Sequence, residues 1–209
     1  FILKPSEQTP LAGLKLAEYL KEAGLPNGVF NVVNGAKTIV EALCDHSDIK
    51  AVAFVGSSNI AKIVYNRCSQ NSKRSLCLGG AKNHMIVVPD ADTDSTAKGL
   101  LASSMGSAGQ RCMAASVAVG VANIDHIIDQ LIEEARSFKL GVDMGTIISK
   151  NALDRIIGYI DEAEKMGAKI LVDGRDLPPP DEYENGYWLG ATILDGVDPD
   201  WPSAKEEIF

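Results

Sequence analysis

The sequence predicts an α/β protein built from parts of two doubly wound domains. Three observations carry that expectation. Short apolar runs alternate with amphipathic helical periods through the first ninety or so residues, the signature of parallel βαβ units. Ala51 to Val55 is apolar throughout and stops at Gly56, as expected of a strand covered on both faces. The alternation resumes beyond Met85 with a second set of strands and helices.

The elements follow in order. Phe1 to Leu3 reads as the end of a strand. Thr9 is placed to cap a helix with Pro10 at its first position, where a missing N–H costs nothing. Leu11, Leu14, Leu16, Ala17 and Leu20 give that helix an apolar face, and Gly24 stops it. Val29 to Val33 is a short β-branched strand ending at Asn34-Gly35, and Thr38 to Leu43 is helical. After the strand at Ala51 to Val55 comes a helix from Ser58 to Cys68, then a strand at Met85 to Val88. Thr96 to Met105 is helical and Ser116 to Val121 a strand. Ile128, Leu131, Ile132, Ala135 and Phe138 line one face of a helix capped by Asp125. Leu153, Ile156, Ile157, Ile160 and Ala163 line another. Lys169 to Val172 is a strand, Leu177 to Asn185 a Pro-rich acidic loop, and Tyr187 to Leu194 a strand. The expected domain boundaries are 1–81 and 82–209.

Composition narrows the function. With 209 residues, 45% of them hydrophobic, the chain has the makings of a globular core. A net charge of −8 and no cluster of Lys and Arg argue against a nucleic-acid partner. No apolar stretch approaches the roughly 20 residues of a membrane span, and no targeting segment is visible. Cysteines 44, 68, 77 and 112 include no C-x-x-C pair and none lies beside a histidine, so no metal site is expected. Free thiols imply a reducing compartment.

Cys112 is the candidate nucleophile. It ends the run Gly106-Ser107-Ala108-Gly109-Gln110-Arg111-Cys112. Small residues there let backbone N–H groups approach a developing oxyanion, and Arg111 favours the thiolate, the attacking form. On that context alone an inert buried cysteine is the commoner outcome. Lys4 and Glu7, at a strand end, read in isolation as a solvated pair, and Ser57 as a plain helix cap. No G-x-G-x-x-G fingerprint is present.

Resemblance changes the weighting. Gly109-Gln110-Arg111-Cys112 is similar to the catalytic-cysteine motif of the aldehyde dehydrogenase superfamily. Three more segments agree with it, in the family's order. Lys4-Pro5-Ser6-Glu7-Gln8-Thr9-Pro10 resembles the segment that binds the adenosine ribose, which implies Lys4, Glu7 and Gln8 as NAD-binding residues. Phe54-Val55-Gly56-Ser57 resembles the pyrophosphate turn, implying Gly56 and Ser57. Glu206-Glu207-Ile208-Phe209 resembles the nicotinamide-ribose segment, implying Glu207 and Phe209. The resemblance assigns residues 1–81 to the NAD-binding domain and 82–209 to an incomplete catalytic domain.

Leu76-Cys77-Leu78-Gly79-Gly80-Ala81-Lys82-Asn83-His84 points to a branch. Most members carry, at the position of Cys77, a glutamate that activates the water which hydrolyses the thioester. Its absence resembles the methylmalonate-semialdehyde dehydrogenase branch, which passes the acyl group to coenzyme A. A thiol is the better nucleophile and needs less help from a base. The branch implies a small semialdehyde bearing a carboxylate, with Arg111 to hold it. It also implies NAD and coenzyme A as cofactor and co-substrate, and a dimer or tetramer. The compartment would be the cytoplasm in a bacterium or the mitochondrial matrix in a eukaryote. The family extends beyond both ends of the chain and is longer between Lys139 and Met144, and it usually has proline where Thr146 stands. A hydrolytic enzyme of other specificity and a non-catalytic fragment remain open alternatives.

Overall fold

A computed structural model describes all 209 residues, which divide into two compact units, Phe1–Gly80 and Ala81–Phe209.

The first unit runs β1 (Ile2–Leu3), α1 (Leu11–Glu22), β2 (Asn31–Val32), α2 (Lys37–Asp45), β3 (Ala51–Val55), α3 (Ser58–Gln70) and β4 (Arg74–Leu78). β1 pairs with β2 and β3 with β4, both parallel, so α1 and α3 each cross between parallel strands as the alternation implies, while α2 joins the two pairs. The expected strand from Val29 to Val33 shrinks to two residues because β1, its only neighbour, offers no more backbone to pair with. The cap of α1 also differs from the expectation. Thr9 makes no cap bond; its N–H turns back to the Ser6 carbonyl at 3.3 Å, and Pro10 is the capping residue, its carbonyl accepting from Leu14 N–H at 3.2 Å. β3 is covered on one face only. Val52 and Phe54 pack with Cys77 against Cys44, Val64 and Cys68 of α2 and α3, whereas Ala51, Ala53 and Val55 are exposed. With one strand neighbour and helices on one side, nothing in this unit covers the alternate residues. Arg67 ties α3 to α2 through Asp45 at 2.6 Å and Glu41 at 3.1 Å. Lys73 closes the end of α2 by donating to the carbonyls of Leu43 and His46.

The second unit runs β5 (Asn83–Val87), α4 (Thr93–Met105), β6 (Ala115–Gly120), α5 (Asp125–Ser137), α6 (Lys150–Met166), β7 (Lys169–Val172), β8 (Ile193–Asp195) and α7 (Pro202–Lys205). β5 and β6 are parallel; β7 and β8 are antiparallel with a register shift between Ile170 and Val172. The main core joins Val87, Ala97, Leu100, Leu101, Ile127, Leu131 and Ala135, with α4 and α5 packed on the strands. Each Val, Leu or Ile side chain there contributes roughly 1.5–3 kcal/mol when fully buried. A second cluster gathers Ile156 and Ile160 of α6 with Ile147 and Leu189.

Caps set the helix limits. Asp92 accepts from Ser95 N–H at 2.8 Å and starts α4 three residues before the expected Thr96. Asp125 lies in the first turn of α5 and is not its cap; Asn123 accepts the Asp125 N–H at 3.1 Å instead. Ser149 caps α6 through Ala152 N–H, and Gly167, at φ 108°, ends it in the left-handed conformation. The expected strand from Tyr187 to Leu194 forms only at its end. Tyr187 instead accepts from Ile147 N–H at 2.8 Å, and Gly190 donates to the Gly174 carbonyl at 2.9 Å, an approach that a side chain on either glycine would block. Between Lys139 and Met144 the chain closes a tight loop, with Gly141 N–H donating to Met144 at 2.8 Å and Asp143 accepting from Lys139 N–H at 2.9 Å.

Candidate active site

Cys112 lies between α4 and β6 and is exposed. The segment that delivers it is unusual. Ser107, Ala108 and Gly109 all take positive φ, at 54°, 53° and 74°. For the two residues with a Cβ this costs roughly 1–2 kcal/mol each, so surrounding bonds must hold the turn.

Side chains around the turn supply those bonds. Gln110 anchors the turn through its side chain, whose amide donates to the carbonyls of Ser107 and Thr146, both at 3.1 Å, while its oxygen accepts from Ile148 N–H at 2.9 Å. Every strong hydrogen-bonding site of that amide except one acceptor lone pair is therefore used. Asn83, at the start of β5, donates to the carbonyl of Cys112 at 2.9 Å and of Ala114 at 3.0 Å, bracing the Cys112 backbone. Ser103 of α4 accepts from Ala115 N–H at 3.1 Å. A thiol on a backbone fixed from both sides keeps its approach to a substrate, which is what nucleophilic attack requires.

Arg111 is exposed and has no carboxylate within ion-pair distance in its unit. Its guanidinium lies over Gly106. Glu207 joins the same neighbourhood from the chain end: its Oε1 accepts from Ala81 N–H at 3.3 Å, two residues before Asn83. Burial lowers the pKa of Lys82, and the Glu207 carboxylate opposes that shift. Tyr159 of α6 donates to the Glu206 carboxylate, and burial together with that contact pushes its phenol up to about 12. Phe209 is exposed, with φ 60°. A broad open concavity lined by Arg155, Tyr159, Glu162 and Glu206 does not include Cys112.

In the first unit Lys4 reaches the Gly35 carbonyl at 2.8 Å and Glu7 at 3.4 Å, so these two do meet at the end of β1. The Glu7 backbone N–H, aided by the Lys4 ammonium, lowers the Glu7 pKa. Gln8 is exposed and touches only Ser6, through its own N–H. Gly56 follows β3 with the Phe54 ring against it; a Cβ there would lie 2.7 Å from that ring. Ser57 is the N-cap of the thirteen-residue α3, yet its side chain makes no cap bond, which leaves its hydroxyl and the first-turn N–H groups open. Ser58 accepts from Gly80 N–H at 2.9 Å and fixes the loop after β4. No hydrogen bond links the Lys4–Glu7 group to the Gly56–Ser57 turn.

Asn83, Gln110, Ser103, Ser58 and Tyr159 were not singled out from the sequence. Gln110 and Asn83 lay inside segments already marked for chemistry. Their signal was a polar amide in a short, otherwise small or apolar context, and its partners are 29 to 38 residues away.

The model of the aldehyde dehydrogenase family matches residues 1–209. The chain is 47% identical over 215 residues to a methylmalonate-semialdehyde dehydrogenase [acylating], mitochondrial, of Arabidopsis thaliana, covering 100% of this chain and 35% of the relative. It is 43% identical over 217 residues to a malonate-semialdehyde dehydrogenase of Pseudomonas aeruginosa, covering 100% of this chain and 44% of the relative. Among solved structures, a protein assigned as a methylmalonate-semialdehyde dehydrogenase from Sinorhizobium meliloti, complexed with NAD, superposes with a TM-score of 0.95 at 48% identity, over 100% of this chain and 44% of that one. A methylmalonate-semialdehyde dehydrogenase from Oceanimonas doudoroffii gives 0.94 at 46% identity, with 100% and 44% coverage. The chain thus spans less than half the length of these relatives. Matched from its first residue to its last, it belongs to the aldehyde dehydrogenase family.

Proposed function

We propose that the protein oxidises malonate or methylmalonate semialdehyde with NAD and releases acetyl-CoA or propionyl-CoA, with Cys112 as nucleophile. The observation that carries the reading is an exposed thiol on a backbone braced by Asn83 and Gln110, preceded by an arginine with no carboxylate partner in its unit. Residues 1–81 form the nucleotide-binding part and 82–209 the catalytic part.

The residues fit the cofactor. The open N-terminus of α3 offers backbone N–H groups and the positive dipole end to a pyrophosphate at Gly56 and Ser57. Lys4, Glu7 and Gln8 offer a donor, a charged acceptor and an amide to ribose hydroxyls. Glu207 and Phe209 serve the nicotinamide end.

The chemistry follows from Cys112. Its thiolate adds to the aldehyde carbon and makes a tetrahedral hemithioacetal oxyanion, while Arg111 holds the substrate carboxylate bidentately. That carbon gives up a hydride, for which NAD, when bound, would supply the acceptor, and a thioester on Cys112 remains. The carboxylate then leaves as carbon dioxide; its bonding electron pair stays on the α-carbon, which takes up a proton. Coenzyme A thiolate attacks the shortened acyl group and expels the Cys112 thiolate. Cys77, where most family members have the hydrolytic base, sits half-buried in β4 with its thiol pKa raised by burial, so it offers no base for water.

The test is NADH fluorescence of the full-length protein with malonate semialdehyde, with and without coenzyme A. Sustained turnover that requires coenzyme A is expected. Turnover of equal rate without it would overturn the acylating step, and no burst of NADH would overturn the nucleophile.

A further inference from the structure

We infer that Gly106 is a specificity-determining position: by having no side chain, it provides the seat for the guanidinium of Arg111, the residue that precedes Cys112. The inference rests on the reading of Arg111 as the residue that holds the substrate carboxylate.

The geometry is local and strong. A Cβ built on Gly106 would lie 2.7 Å from Cζ and 2.9 Å from Nη2 of Arg111, and would also collide with Nη1. All three nearest atoms belong to that one guanidinium, so the group occupies the space that a side chain at position 106 would need. Conformation does not explain the glycine. Gly106 sits at φ −55°, ψ 132°, which any residue adopts, whereas the strained left-handed positions just after it are filled by Ser107 and Ala108. What Gly106 supplies is room.

Room matters because nothing else in the unit fixes the group. Arg111 has no carboxylate within ion-pair distance in its unit, and its side chain donates to no carbonyl there. Arg175, by contrast, is held by Asp161, Glu164 and Asp173, which take up four of its five N–H donors. A guanidinium that rests on backbone, with its edge free, keeps its N–H fork for an incoming carboxylate. A side chain at position 106 would push the fork off that seat. Because Arg111 precedes Cys112 directly, and Gln110 is locked to Thr146 and Ile148, the backbone cannot shift to compensate.

The test uses alkylation of Cys112 in the full-length protein, read by mass spectrometry at that site. Anionic iodoacetate and neutral iodoacetamide deliver the same leaving group, so their rate ratio reports the guanidinium's place beside the thiolate and not thiol reactivity in general. Arg111→Gln should drop the ratio to that of a simple thiol. Gly106→Ala should lower it by about fivefold, and should lower kcat/KM for malonate semialdehyde relative to propanal about tenfold, chiefly through KM. Gly99→Ala in α4, where an added Cβ meets nothing within 4 Å, should leave both ratios alone. If Arg111→Gln moves the ratios and Gly106→Ala does not, the seat is refuted and the role of Arg111 stands. If Arg111→Gln moves neither, the reading of Arg111 falls and the seat falls with it.

Discussion

The two units hold their candidate residues in opposite ways. In the second unit the Cys112 turn is fixed by side chains: Asn83 and Gln110 supply five hydrogen bonds to its backbone and its neighbours, and Ser103 one more. In the first unit the turn at Gly56 and Ser57 has no side-chain cap at all. The difference follows the chemistry proposed for the two sites. A nucleophile must be aimed, so its backbone needs many restraints. A phosphate site at a helix N-terminus uses the backbone's own unpaired donors, which a capping side chain would consume. Packing differs in the same direction. α1 buries no residue and leaves Leu11 76% exposed, whereas α5 buries Ile127, Leu131 and Ala135.

Four measurements would break or sharpen this contrast. The largest effect is expected at the nucleophile. Cys112→Ala should reduce NADH formation by about 10⁴-fold or more, while Cys44→Ala, in the buried cluster of the first unit, should not abolish it. Next is the core. In equilibrium unfolding of this chain, Leu131→Ala should cost about 2–4 kcal/mol, and Leu11→Ala under about 0.5 kcal/mol. Equal costs would show that α1 is covered after all. Third, Asn83→Ala removes both backbone braces at Cys112. It should lower kcat by about 10-fold to 100-fold, a loss of the order expected for two hydrogen bonds, with a smaller change in the midpoint of unfolding. An unchanged kcat would mean the turn holds itself.

The smallest effect is electrostatic and should be alike in the two units. Arg175 holds Asp173 below its ordinary 3.8, and Arg67 does the same for Asp45. A depressed folded pKa stabilises above the unfolded value and is lost as pH falls through the folded one. Arg175→Ala should therefore lower the melting temperature by at most a few degrees at pH 7, and the difference should vanish as pH drops below 3.8. A difference that persists in acid would mark a packing role for the arginine stem.

Local signals were legible where they were local. β3 and β7 are legible from short apolar runs, and α6 from the Leu153-to-Ala163 stripe, because periodicity is set by each element's own buried face. The caps are less so: Thr9 and Asp125 have the right chemistry for capping but not the right backbone, and Pro10 and Ile124 hold the cap positions, with Asn123 accepting the Asp125 N–H. Two strands were read too long. The extent of a strand depends on what lies beside it, and Val29–Val33 and Tyr187–Leu194 each found only two or three residues of partner.

For the candidate site, the sequence marked Cys112 and its flanking small residues and arginine, together with the chain segments that resemble a nucleotide site. It could not show that Asn83 and Gln110 brace the nucleophile, that three successive residues before Gln110 are left-handed, or that Gly106 underlies Arg111. Residue types and their near neighbours state which groups are available and which elements they prefer, and those preferences are set within a turn or a strand. Which distant carbonyl an amide reaches, and which side chain fills the space a glycine leaves, is decided only when the elements pack, because hydrogen bonds and van der Waals contacts act over a few ångströms of space and take no account of separation along the chain.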